Sequence, residues 1–269
     1  MSGTWTVDPN TLQTLRLSEA RKAFDGGDLD RALIEAEELL DEDPSHKGAL
    51  ELVSQAALCI GDVVMALEAL NRFVELHTPD SKLLHSLAVA RFQDVDYPGA
   101  LVAAEQATGL EPSLAPAWHY QGLALERMEK HAEAEKRFAK AADHDSENFP
   151  IHPGWDDIDW PQLLDTALQR LPAQIQGFYD GVPIRFADFP AVADLLEHYP
   201  PLSPFTDALY RGSLAEGADP WVERPAYLVL FPGNLSRPAL DHNEIIKRIT
   251  DALMHEAMHW LGTAEPSGE

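Results

Sequence analysis

Five residues near the end of the 269-residue chain are spaced to hold a metal ion. His255-Glu256-Ala257-Met258-His259 reads H-E-x-x-H, with Gly262 three residues on and Glu265 three residues after that. On a helix, His255 and His259 stand one turn apart on one face, so both imidazoles can reach one ion. Glu256 lies beside them, placed to act on a metal-bound water instead of binding the metal. With this chain's His and Glu frequencies, a bare H-E-x-x-H arises in roughly 4% of shuffled sequences. Requiring the glycine and the last carboxylate or His lowers that to about 0.1% or less, so the extended pattern carries the signal.

The motif needs a helix to hold it, and the preceding residues supply one. Asp241 is the expected N-cap, and Glu244 completes a capping box. Ile246, Ile249, Leu253, Trp260 and Leu261 form a buried side. Arg248, Asp251, His255 and His259 form another stripe, facing a cleft. Gly262 can adopt a positive φ and end the helix, which lets the chain bring Glu265 back toward the histidines. Upstream, Asp159 and Pro161 start a helix over 160–171, and Pro172 ends it. Residues 182–187 alternate as a strand, with Pro183 marking an edge or a strand start. Residues 188–225 read as a long loop holding a short helix (191–199) and the segment Ala208-Leu209-Tyr210-Arg211-Gly212. Residues 226–231 form the clearest strand in the chain.

This order of elements resembles the small bacterial minimal zincin-like metallopeptidases, relatives of the metzincins. Leu163–Pro190, Leu209–Gly212, Tyr227–Phe231 and Ile246–Glu265 carry the likeness, which covers about residues 158–265. The family usually has Asp where this chain has Glu265, and the Met-turn of larger metzincins is missing. The resemblance implies one Zn²⁺ per chain held by His255, His259 and Glu265, with a position left for water. It implies peptide-bond hydrolysis with Glu256 as general base. Tyr210, Tyr227 and His242 are equal candidates for the donor that steadies the oxyanion. Tyr227 sits in a strand expected to run along the substrate as an edge strand.

The N-terminal half repeats. Ala32, Ala66, Ala100 and Ala134 are spaced by 34 residues, and twelve residues before each stands Ala20, Ser54, Ala88 or Gly122. Small residues at both positions let helices cross closely. Pro44, Pro79 and Pro112 mark turns, with Ser146 at the last such place. Gly26-Gly27-Asp28 and Gly61-Asp62 fall where helix-to-helix turns belong. Asp28, Asp62 and Ser81 are the expected N-caps. The array resembles the tetratricopeptide repeat over residues 13–148, most clearly at Trp118, Gly122, Leu125, Ala134, Phe138 and Ala141. The resemblance implies a concave surface for a protein or peptide, with Arg21, Gln55, Lys82, His85, Phe92, His119 and Glu126 as groove candidates. Leu17, Arg21, Lys82 and Ser86 occupy the places of the carboxylate clamp that some arrays use, so no chaperone-tail partner is expected.

The expected organisation is multidomain and mainly α. A tail (1–12) leads into an α-solenoid of four helix pairs (13–46, 47–80, 81–114 and 115–148). A linker (149–157) follows, then a small α+β zincin-like domain (158–269). His144 and His152 are expected as loop residues around that join. The single cysteine, Cys59, rules out a disulfide framework or thiolate site within one chain and fits a reducing compartment. Net charge is −25, with 27 acids against 13 Lys/Arg in residues 1–149 and 18 against 7 in 150–269. Neither half suits a nucleic-acid backbone. The N-terminal residues lack a basic, apolar leader, and no apolar run approaches ~20 residues, so a cytoplasmic protein off the membrane is expected. The expected function is a zinc metallopeptidase whose array recruits a substrate or regulator. The alternative is an interaction scaffold whose zincin domain binds metal but is weakly active or inactive.

Overall fold

The computed structural model describes residues 9–151, 158–215, 217–239 and 241–262. The chain divides into two compact units, 1–151 with 198–201 and 152–197 with 202–269. Among the described residues the first unit is eight helices: α1 (Pro9–Asp25), α2 (Leu29–Glu42), α3 (Lys47–Ile60), α4 (Val63–Leu76), α5 (Ser81–Gln93), α6 (Tyr97–Leu110), α7 (Ala115–Arg127) and α8 (His131–His144). Each packs against the next, and the odd-numbered helices also pack along the array, α1 on α3, α3 on α5 and α5 on α7. The small residues sit at these crossings: Ala20, Ala32, Ala66, Ala88 and Ala100 are fully buried. Gly122 lies under Phe138, whose ring would be 2.4 Å from any Cβ added there. Stacking neighbours therefore supplies the core that no single pair could form.

The turns inside the pairs repeat as strictly as the alanines. Gly27, Gly61, Val95 and Glu129, each 34 residues after the last, all have φ between 62 and 81°. Glycine takes that conformation without steric cost, whereas valine does not. Val95 is buried, and burying its side chain offsets part of the strain. One residue later, Asp28, Asp62 and Asp96 cap α2, α4 and α6 by accepting from the backbone N–H of Arg31, Met65 and Gly99. In the fourth pair Lys130 takes that position and makes no side-chain cap bond. Lys130→Asp is therefore expected to stabilise the array by about 0.5–2 kcal/mol, by restoring the cap and removing a cation from a helix N-terminus. Urea melts of both proteins, followed by helical circular dichroism, would measure the gain. At α5 the cap is Asp80, not Ser81: Asp80 accepts from Leu83 N–H, while Ser81 Oγ donates to Glu111. His144 is the last residue of α8, not a loop residue. His152 lies outside the described residues.

The second unit holds α9 (Trp160–Arg170), α10 (Ala173–Tyr179), β1 (Ile184–Phe186), α11 (Val192–Leu195), β2 (Ala208–Arg211), β3 (Tyr227–Leu230), α12 (Pro232–Ser236) and α13 (His242–Trp260). Its sheet has the order β1-β3-β2, with β1 parallel and β2 antiparallel to β3. Asp159 caps α9 by accepting from Gln162 N–H, and Pro161 fits the first turn. Leu228 and Leu230 face the core, while Tyr227 and Val229 face the other side, half-buried. The apolar side of α13, including Ile245, Ile249, Leu253, Ala257 and Trp260, joins the same core as Leu228, Leu230 and Phe178. The segment read as part of a long loop is strand β2, and α11 is shorter than the helix expected over 191–199. No helix among the described residues is long and apolar enough to cross a membrane.

Candidate metal centre

Helix α13 begins where Asp241 accepts from Glu244 N–H, and it ends one residue before Leu261, with Gly262 at φ 64°. Its 3.6-residue period sorts the motif into two environments. His255 and His259 are exposed, their rings 6.4 Å apart and inclined by 25°. Glu256 turns inward and is only 7% exposed. Its Oε2 accepts from the backbone N–H of Tyr210 at 3.1 Å. Burial pushes its carboxyl pKa up to about 7, against the opposing pull of the Tyr210 N–H and of His255. A carboxyl near neutrality can both take and return a proton.

Several contacts fix α13 against β2 and its surroundings. Arg248, seven residues before His255, donates to both carboxylate oxygens of Asp207 at 2.8 and 2.7 Å, just ahead of β2. Burial raises the Asp207 carboxyl while Arg248 pulls it back down. Tyr179 Oη donates to the Leu253 carbonyl at 2.5 Å, and burial followed by the charge of Glu256 raises its phenol. Trp260 Nε1 donates to the Glu223 carbonyl at 2.9 Å. The Tyr210 ring stands 5.6 Å from His259 and edge-on to Trp260 at 5.0 Å. Tyr179 lies 74 residues before Leu253, so no local pattern marks it. Arg248 does share the motif's heptad spacing.

The candidate donors separate clearly. Tyr210 is beside the motif. His242 is the first residue of α13, thirteen residues before His255 and so about 20 Å away along the axis. Tyr227 lies on the opposite face of the sheet from Leu228, under the Arg185 guanidinium at 4.0 Å. Its strand β3 is the middle strand, so the expected edge position falls to β2. That outer face also carries a cavity of about 440 Å³ lined by Phe189, Asp194, Glu197, Arg211, Tyr227 and Val229, away from the motif. Glu265 lies outside the described residues. Among the described residues no three His, Cys, Asp or Glu side chains converge on one point. Two imidazoles one turn apart on an exposed helical face fit a zinc ion, and among the described residues no third His, Cys, Asp or Glu joins them.

The groove candidates also divide. Arg21, Gln55 and Lys82 are exposed on odd-numbered helices. Phe92 is fully buried, with Tyr97 at 5.2 Å and Tyr120 at 5.7 Å, so it is a core residue. Glu126 is 6% exposed and pairs with Arg127 at 3.0 Å, which turns it inward too. His119 packs against Phe138 and Phe149. His85 meets Tyr120 edge-on at 5.4 Å, and burial pushes its pKa down to about 4. An unfolded chain takes that proton near pH 6.5, whereas the folded array resists it until about pH 4. Stability from this residue is therefore complete above about 6.5 and lost as pH falls toward 4, by an upper bound of roughly 3 kcal/mol. Urea melts across that range should show the loss, and His85→Phe should flatten it.

Residues 179–267 match the family described as zincin-like metallopeptidase. Three solved structures are similar to the repeat-bearing part. A crystal structure of MamA protein is 26% identical, over 49% of this chain and 72% of that one, with a TM-score of 0.47. The MamA fragment 41-end from Desulfovibrio magneticus RS-1 is 21% identical, over 49% and 75%, with a TM-score of 0.47. YrrB, described as a TPR protein with an unusual peptide-binding site, is 17% identical, over 62% and 76%, with a TM-score of 0.45. No curated protein matches. The chain joins an array of eight helices with a 34-residue repeat to a region that matches the zincin-like metallopeptidase family.

Proposed function

We propose that the protein is a zinc-dependent metallopeptidase whose repeat array recruits a substrate or regulator. The observation that carries this reading is Glu256, buried with a raised pKa beside an exposed histidine pair and held by the backbone of an edge strand. His255 and His259 would hold Zn²⁺, with Glu265 as the proposed third ligand. When bound there, zinc supplies Lewis acidity toward water and toward a carbonyl oxygen.

The chain's own residues do the rest. With Oε2 engaged by Tyr210 N–H, Glu256 accepts the proton of the attacking water on Oε1 and delivers it to the leaving amine. The Tyr210 phenol, beside His259, is the oxyanion donor this arrangement favours. Strand β2 would orient an extended substrate. Phe231 N–H donates to the Asp207 carbonyl, and alternation from that pair turns the Tyr210 peptide group away from β3. The outward Tyr210 N–H is already taken by Glu256, so a substrate backbone would pair with β2 only at its remaining outward groups. Elemental analysis is the test of the metal site. Wild-type protein should retain about one zinc per chain, as expected for a structural or catalytic zinc site, and His255→Ala should lose it. Equal, near-zero contents would reject the site. Digestion of a broad peptide library by the zinc-loaded protein tests the activity, and no cleavage would leave a metal-binding scaffold.

A further inference from the structure

Strand β2 and helix α13 are tied at two points. The Tyr210 N–H meets Glu256 Oε2 at 3.1 Å, and Arg248 Nη2 meets both carboxylate oxygens of Asp207 at 2.8 and 2.7 Å. From Arg248 to Glu256 the helix rises by about 12 Å. From Asp207 to Tyr210 an extended chain advances by about 10 Å. The two spacings match, so the strand runs alongside the helix in the same direction. Apolar contacts in the shared core are non-directional and do not by themselves set where along α13 the strand falls. Hydrogen-bonded ties, which weaken steeply with distance and angle, do set it.

The Asp207 tie is itself held from three sides. The Asp207 carbonyl accepts from Phe231 N–H, just past β3, at 2.9 Å. The turn before it is gripped by Asn234 of α12, whose Nδ2 donates to the carbonyls of Pro204 and Thr206 at 3.0 and 2.6 Å. Asn234 is buried, so an amide out of reach of water is committed to one turn of chain. Arg248 reaches in from α13 with a single nitrogen making both contacts, while its Nε is buried without a hydrogen-bond partner among the described residues. The two side chains are 34% and 23% exposed, so solvent screens the ion pair and its net energy is small. What the pair adds is placement, because carboxylate and guanidinium meet only when β2 stands at one height on α13. Arg211, on the same strand, pairs instead with Asp194 and Glu197 on the outer face of the sheet, away from α13.

We propose that Asp207 and Arg248, backed by Asn234, are positioning residues for Glu256: they fix the height of β2 on α13 and so keep the Tyr210 N–H on Oε2 and the Tyr210 ring beside His259. This rests on the reading of Glu256 as the base of a hydrolase, and it names the residues that hold that base in place. Without the Asp207 tie, β2 keeps its pairing with β3 but pivots at the cleft edge. A shift of about 1 Å at Tyr210 takes a 3.1 Å contact out of hydrogen-bond range and is enough to cost on the order of 100-fold in rate. Because one Arg248 nitrogen makes both contacts, a lysine ammonium can replace it in part, which a forked, two-nitrogen contact would not allow.

The test uses the full chain, with backbone amide exchange followed by NMR and hydrolysis followed on one peptide cleaved from the library. In Asp207→Asn the Tyr210 amide should exchange about tenfold faster or more, while the Leu228 amide, which donates to the Pro183 carbonyl across the sheet, stays within about threefold of wild type. Arg248→Gln should do the same, and the double variant should be no worse than the poorer single, since both remove one tie. Arg248→Lys should recover part of the protection. Zinc content should stay at the wild-type level, and kcat should fall by about ten- to hundredfold with KM within about threefold. If Asp207→Asn does not fold, as judged by circular dichroism, Arg248→Gln serves in its place. Tyr210 exchange unmoved by the single variants, an equal acceleration at Leu228, or an unchanged kcat would overturn the proposal. A wild-type protein that cleaves nothing rejects the hydrolase reading, and the exchange rates then decide the tie by themselves.

Discussion

Glu256→Gln is expected to lower peptide hydrolysis by roughly two to four orders of magnitude while leaving zinc uptake unchanged. The substitution keeps the size of a side chain that is only 7% exposed, so packing is preserved. The amide oxygen can still accept the Tyr210 N–H that Oε2 accepts now. What disappears is a site that takes and returns a proton near neutrality, where burial has placed this carboxyl. A loss of that size corresponds to about 2.7–5.4 kcal/mol of barrier. Library digestion by matched, zinc-loaded preparations would measure it. Equal cleavage by both proteins would remove Glu256 from the chemistry.

Phe92→Ala should destabilise the array by about 3–5 kcal/mol, as truncation of a fully buried aromatic ring does. The ring lies against Tyr97 and Tyr120 and carries the Arg127 guanidinium at 5.8 Å. The Arg127 side chain is only 2% exposed, so removing the ring also strips a face from a buried cation. A groove residue would behave oppositely: partner binding would fall while stability moved by less than about 0.5 kcal/mol. Urea unfolding of the array, followed by circular dichroism, distinguishes the two results.

Features with a local cause were the legible ones. The 34-residue spacing of Ala32, Ala66, Ala100 and Ala134 announces helix pairs, because each pair needs a small residue at its crossing. Asp28, Asp62, Asp159 and Asp241 mark helix starts, because each cap acts on an N–H three residues ahead. His255 and His259 share a face by helical period alone. What depended on distant partners was not legible. Strand β2 is four residues without apolar alternation, and only pairing with β3 identifies it. Once β2 is placed, β3 becomes the middle strand and Tyr227 leaves the cleft side. Phe92 and Glu126 sit at helical positions that serve either a groove or a core. Tyr97, Tyr120 and Arg127 decide for the core. Ser81 looked like a cap because serine often is one, yet Asp80 precedes it and holds the N–H instead.

The strand order also sets a timetable. Helix pairs in the array meet neighbours a few tens of residues away, so their contacts close as soon as each pair exists. The parallel register of β1 with β3 joins Ile184 to Leu228, which are 44 residues apart, and so closes a longer loop than any helix pair does. Non-local pairing of this kind slows folding relative to helical contacts. Helix α13 follows every described strand in the chain, and its Glu256 is set by β2. During synthesis the array therefore folds first. Helices α1 to α8 can thus pack before α13 has been made, and Glu256 takes its place only once β2 has closed on β3.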